Sequence, residues 1–169
     1  SGIGIDGDLE IEGTAADSLV INASAYGVYT DGNCTVTGCT VVTNSEDGFE
    51  CDYFTAKNAT ITVEASSGDG IDGNNGIIIQ NSTVKVTAND YALRTGDSVA
   101  ITGSSNVDAK IITGSHGSFW AINYDHMIGG GSFTYDGLNI QAAKRPEDSL
   151  GTYIKGEHTK YEWIVVTSP

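Results

Sequence analysis

The feature that most constrains this chain is a small residue followed by a hydrophobic one, recurring at nearly fixed intervals: Gly2-Ile3, Gly27-Val28, Gly48-Phe49, Gly70-Ile71, Ala92-Leu93 and Ala121-Ile122. The steps between successive anchors are 25, 21, 22, 22 and 29 (27−2, 48−27, 70−48, 92−70, 121−92). Seven and nine positions after an anchor come Leu9 and Ile11, Cys34 and Val36, Ile77 and Ile79, Val99 and Ile101. The unit at Gly48 is shorter by one and places Phe54 and Ala56 there. A further alternating set follows in Val41 and Thr43, Ile61 and Val63, Val84 and Val86, Val107 and Ala109. Each unit thus holds three short segments of period two, the periodicity of strands and not of helices.

A period of about 22 residues without helical stretches describes the coil of a parallel β-solenoid, because one coil cannot bury its apolar edge alone and must stack on neighbours. Ile3, Val28, Phe49, Ile71, Leu93 and Ile122 are expected to form one inward column. The fold class expected is all-β, a single-stranded right-handed parallel β-helix of five to six coils. Its handedness follows the crossover preference of parallel strands. Residues 1–143 are assigned to the rungs and 144–169 to a C-terminal cap with a closing strand, Tyr161 to Thr167, since an open solenoid end is an edge that invites aggregation. The surplus length before Ala121 is expected to project as a loop within Ala109 to Phe119, bringing His116, Phe119 and Trp120 to the surface. The first rung begins without a capping segment, and the expectation is a piece of a larger chain.

Charge narrows the partners. The net charge is −14, which argues against nucleic acid, whose phosphates require Lys and Arg to displace counterions. No apolar run of about 18 residues is present, so no membrane insertion is expected. Cys34, Cys39 and Cys51 match no zinc spacing and read as buried thiols, and His116, His126 and His158 form no ligand spacing.

Stacking also aligns outward residues at the interstrand distance of roughly 4.8 Å. Four past the anchor lie Asp6, Asp31, Asp52, Asn74, Gly96 and Asp125; two past it lie Gly4, Tyr29, Glu50, Asp72, Arg94 and Asn123; just before it lie Ser1, Tyr26, Asp47, Asp69, Tyr91 and Trp120. One edge therefore carries a ladder of carboxylates, and stacked like charges destabilise neighbouring strands unless something offsets them. A calcium ion, which takes oxygen ligands in flexible geometry, is one candidate. Glu50, Asp52, Asp72 and Asn74 form the leading metal set, with Asp47 and Asp69, then Asp6 and Asp31, behind them; a solvated acidic face is the alternative. Tyr26, Tyr91 and Trp120 are the candidate glycan contacts, because flat rings with a polar tip suit partly exposed recognition surfaces. Arg94 reads as an ion-pair partner for Asp72, or as a proton-abstracting base if the protein is a lyase.

The segments "SGIGIDGDLEIEG", "YGVYTDGNCTVTGCTV" and "DGIDGNNGIIIQNSTVKV" resemble the rung motif of secreted bacterial right-handed β-helix proteins known as carbohydrate-binding domain-containing, whose architecture is similar to that of pectate lyases. The matching positions are Asp6, Asp8, Asp31, Asp47, Asp52, Asp69 and Asp72, while Asn74, Arg94 and Gly96 depart from the motif. The resemblance implies a secreted or cell-surface, calcium-bearing module that binds an acidic plant polysaccharide such as polygalacturonate. The leading expectation is thus a noncatalytic, calcium-dependent polysaccharide-binding module, without catalytic residues. A structural stalk or adhesin segment without a glycan ligand, and a polysaccharide lyase using Arg94 or Lys57 as base, are the alternatives.

Overall fold

The computed structural model describes residues 1–96 and 98–111, the side chains of Ser98, Lys110 and Ile111 excepted, together with the backbone of the strands within Phe119–Ala121, Asp125–Tyr135, Leu138–Ala143, Thr152–Lys155 and Trp163–Val166. The chain is an all-β parallel solenoid of about five turns of about 22 residues, with no helix among the described residues.

Three parallel ladders build it. The first runs through β1 (Ile3–Ile5), β4 (Tyr26–Thr30), the first half of β7 (Asp47–Lys57), the first half of β9 (Ile71–Gln80), β11 (Leu93–Thr95) and β14 (Phe119–Ala121). The second runs through β2 (Leu9–Glu12), β5 (Cys34–Thr37), the second halves of β7 and β9, β12 (Ser98–Thr102) and the start of β15 (Asp125–Tyr135). The third joins β3 (Ser18–Asn22), β6 (Thr40–Ser45), β8 (Thr60–Ala65), β10 (Thr83–Ala88), β13 (Asn106–Ile111) and the end of β15. At the far end β16 (Leu138–Ala143) pairs antiparallel with β15, and β17 (Thr152–Lys155) pairs antiparallel with β18 (Trp163–Val166). The last two strands fall in the segment expected to be a cap.

Alternation decides what lies inside. Val28, Phe49, Ile71 and Leu93 stack in register and are at most 1% exposed. Cys34, Phe54, Ile77 and Val99 do the same on the second ladder, and Val41, Ile61, Val84 and Val107 on the third. Phe49 and Phe54 meet edge to face at 5.0 Å between ring centroids, tying the first two ladders together. The three cysteines are buried free thiols, and burial pushes Cys34 up to about 12, so it behaves as a small apolar side chain.

The corner between the second and third ladders repeats a left-handed backbone at Gly38, Asn58, Asn81 and Gly103, with φ of 78°, 49°, 49° and 67°. Only Gly, and Asn with its short polar side chain, adopt that conformation readily, which explains why those two residue types stand at all four positions. The small anchors have a different reason. A Cβ on Gly48 would collide with the carbonyl oxygen of Gly70 and with Cγ1 of Val63, so the first ladder passes too close to the third for any side chain.

The sixth rung departs from the expected register. Leu93, Arg94 and Thr95 pair with Phe119, Trp120 and Ala121, so the position expected for Ile122 belongs to Phe119. The step there is 26 (119−93) and not 29. A slip by three is odd, and an odd slip exchanges the two faces of a strand. Trp120 therefore belongs to the column of Glu50, Asp72 and Arg94 and not to that of Tyr91. Likewise Asp125 pairs with Ser98 and leaves the column of Asp52 and Asn74.

Candidate functional site

The outward residues of the first ladder and of the corner before it form the candidate site. Register places Glu50 directly opposite Asp72, and Asp72 opposite Arg94. Asp47 aligns with Tyr26 one rung back. The acids expected to form a ladder do so, and Asp47, Asp69 and Asp72 are already engaged within the protein.

Asp47 Oδ1 accepts from the backbone N–H of Asp69 at 2.8 Å, and Asp69 Oδ1 accepts from the N–H of Tyr91 at 3.0 Å. Each carboxylate thereby serves a corner amide on the next rung, a backbone donor that needs an acceptor where the ladder turns. On earlier rungs Asp8 Oδ1 accepts from the N–H of Asn33 at 2.8 Å, and Asp31 Oδ1 accepts from the N–H of Gly7. The acidic residues of the rung motif are in good part corner acceptors.

Arg94 supplies the charge. Its Nη1 donates to Asp69 Oδ2 at 3.0 Å and to Asp72 Oδ2 at 3.1 Å, bridging two acids of the preceding rung. The guanidinium also lies over the ring of Tyr91, 5.9 Å from its centroid, within cation–π range. Burial alone would lower the guanidinium's pKa, but Asp69 and Asp72 outweigh it and hold it above its ordinary value. Arg94 thus stays charged.

Asp72 is 8% exposed. Burial pushes its carboxyl up to about 6, Arg94 opposes the rise, and the charges of Asp69, Glu50 and Asp47 add to it. Asp47 is also raised, first by burial. Glu50, half-buried, is engaged by the Tyr26 hydroxyl; the Glu50 charge is the main reason that hydroxyl is held above its usual range. The Tyr26 and Tyr29 rings are 5.4 Å apart and tilted by 52°.

The expected metal set is only partly brought together. Glu50 and Asp72 are neighbours, but between them and the second ladder lies a bulge: Cys51 pairs with Gly73 and Tyr53 with Gly76, so Asp52 alone faces both Asn74 and Asn75. Asn74 is exposed while Asp72 is buried, so the two present their oxygens to different surroundings. Among the described residues no three Asp, Glu, His or Cys side chains are grouped so as to hold a metal ion.

The rings expected to meet a glycan differ in their exposure. Tyr91 is 8% exposed beneath Arg94, Tyr26 is half-buried, and the side chain of Trp120 lies outside the described residues. Among the described residues the exposed rings are Tyr29, at 36%, and Tyr53, at 43%. The aligned columns already put Tyr29 beside Glu50. Tyr53 is likewise legible in the sequence, as the neighbour of the inward Phe54. Lys57 lies opposite Gln80 on the second ladder, on the far side of the bulge from Asp72.

Compared with family models, curated proteins and solved structures, the chain matches none.

Proposed function

We propose that this chain is a noncatalytic polysaccharide-binding solenoid of a secreted or cell-surface protein, its contact face centred on Tyr29 and Tyr53. The observation that carries the reading is the pair of exposed tyrosine rings on the paired strands β4 and β7, with Glu50 opposite Tyr29 and Asp52 next to Tyr53 in the chain. Aromatic faces stack on the apolar face of a sugar ring, and carboxylates accept from its hydroxyls. A face this rich in carboxylates favours a neutral polysaccharide over polygalacturonate, unless calcium bridges the two anions.

A lyase reading requires a base, and Arg94 is a poor one because two carboxylates keep it protonated. No ultraviolet-absorbing elimination product should form from polygalacturonate. One observation favours the stalk reading instead: Asp8, Asp31, Asp47, Asp69 and Asp72 are all bound inside the protein.

The test is affinity electrophoresis in gels containing xylan or polygalacturonate, each with calcium and with chelator. Retardation in xylan in both conditions is expected. Tyr29→Ala/Tyr53→Ala should weaken it about tenfold or more, since each ring contact is worth roughly 0.5–1.5 kcal/mol. If neither polysaccharide retards the wild-type protein, the stalk reading replaces this one.

A further inference from the structure

Acidic side chains are spread unevenly over the three ladders. The outward residues of the first ladder and its corners include Asp47, Glu50, Asp52, Asp69 and Asp72, and those of the third include Glu64 and Asp108. The second ladder differs. From β5 to β12, register sets Thr35, Thr55, Ile78 and Ala100 in one outward column and Thr37, Lys57, Gln80 and Thr102 in the next. Neither column holds a carboxylate over these rungs. In a chain with 22 acidic residues, that gap sets this face apart from the other two.

Ile78 stands out from it. The side chain is 39% exposed, and its column neighbours Thr55 and Ala100 are shorter, so its aliphatic end projects beyond them. Tyr53, the most exposed ring of the described residues, pairs with Gly76, two residues before Ile78 on β9. Glycine has no side chain to stand between the two. A strand spacing of roughly 4.8 Å and a rise of about 3.3 Å per residue put their backbone positions about 8 Å apart. Around this apolar pair Thr35, Thr37, Thr55 and Thr102 are half-exposed and Gln80 is exposed. Hydroxyls and amides both donate and accept, whereas carboxylates only accept.

We propose that the contact face extends from Tyr53 onto the outer face of the second ladder, with Ile78 as a further apolar contact and an uncharged polysaccharide as the ligand. The proposal rests on the polysaccharide reading above and adds a residue and a ligand class to it. The aliphatic group covers the carbon-bound hydrogens of a sugar face, and the threonines and Gln80 serve its hydroxyls. Among these outward residues Lys57 is the only cation, too few to match the repeated charges of a uronate polymer.

Affinity electrophoresis of the full chain in xylan tests this. Ile78→Ala is expected to weaken retardation about threefold or more through the apolar contact removed. Ile78→Tyr should strengthen it, since a ring offers a sugar face more to stack on. Val42→Ala, a similar truncation on the outward face of the third ladder, should behave as the parent. Circular dichroism of all three should match the parent, because the altered side chains point outward. Wild-type retardation that Ile78→Ala leaves unchanged while Tyr29→Ala/Tyr53→Ala weakens it would overturn this proposal and leave the polysaccharide reading in place. Equal losses from Ile78→Ala and Val42→Ala, or stronger retardation in calcium-free polygalacturonate than in xylan, would overturn it too. No retardation of the wild-type chain in xylan would remove the proposal together with the reading it rests on.

Discussion

Replacing Gly48 by Ala is expected to destabilise the solenoid by about 2–3 kcal/mol, the range of overpacking in a filled interior. The added Cβ meets the carbonyl oxygen of Gly70 and Cγ1 of Val63. Neither can withdraw cheaply. The Gly70 carbonyl accepts from the N–H of Phe49 at 2.9 Å, and Val63 is fully buried on the third ladder. The midpoint of thermal unfolding should fall by roughly 5–10 °C for a chain of this size. Gly4→Ala is the control: it sits exposed on the first rung, where a Cβ would make ordinary contact with Ser1. Its effect should stay within about 0.5 kcal/mol. Equal effects at the two positions would mean that the close approach of first and third ladders does not constrain the fold.

Arg94→Ala should produce the other large effect, and it should depend on pH. Removal of the guanidinium leaves Asp72 buried with Asp69, Asp47 and Glu50 around it and no matching charge. Breaking a fully buried pair costs about 3–5 kcal/mol. The Arg94 side chain is 43% exposed and water screens part of the charge, so about 1–3 kcal/mol at pH 7 is expected.

The direction with pH follows from Asp72. Its folded pKa, about 6, lies above the ordinary 3.8, so between those values the folded state binds more protons than the unfolded state. Stability contributed by this group is therefore fully present at low pH and declines as pH rises through 6. The variant should lose less at pH 4.5 than at pH 7, because a protonated Asp72 needs no counter-charge. Asp72→Asn should remove this part of the pH dependence in an otherwise intact protein. Urea unfolding of the three proteins at both pH values measures it. A deficit in Arg94→Ala that is equal at both pH values would show that Arg94 acts through packing alone.

Much of the architecture is legible in the sequence because a solenoid converts spacing into contact. Phe49 and Ile71, or Phe54 and Ile77, sit one repeat apart and stack in the registers that alternation implies. The sixth rung escapes this logic because an insertion has no periodicity of its own, and matching a small residue before a hydrophobic one selects Ala121-Ile122 over Phe119. The ion pair of Arg94 with Asp72 can be read from their neighbouring places in one column. Its second arm to Asp69 cannot, since that contact crosses from the corner to the strand face. The corner role of Asp47 and Asp69 is equally hidden. Periodicity reports which side chains point outward, but not which corner N–H groups take a side-chain oxygen as acceptor.

With Asp47 and Asp69 serving corner amides, Asp69 and Asp72 paired with Arg94, and Glu50 beside the Tyr26 hydroxyl, this part of the ladder offers a cation few free oxygens. Calorimetric titration of calcium into chelator-stripped protein puts this to the test, with Glu50→Ala/Asp72→Ala alongside. The expected result is no saturable heat attributable to this ladder, and the same trace for both proteins. Saturable binding by the wild-type chain that the double substitution removes would contradict it and restore a metal to Glu50 and Asp72.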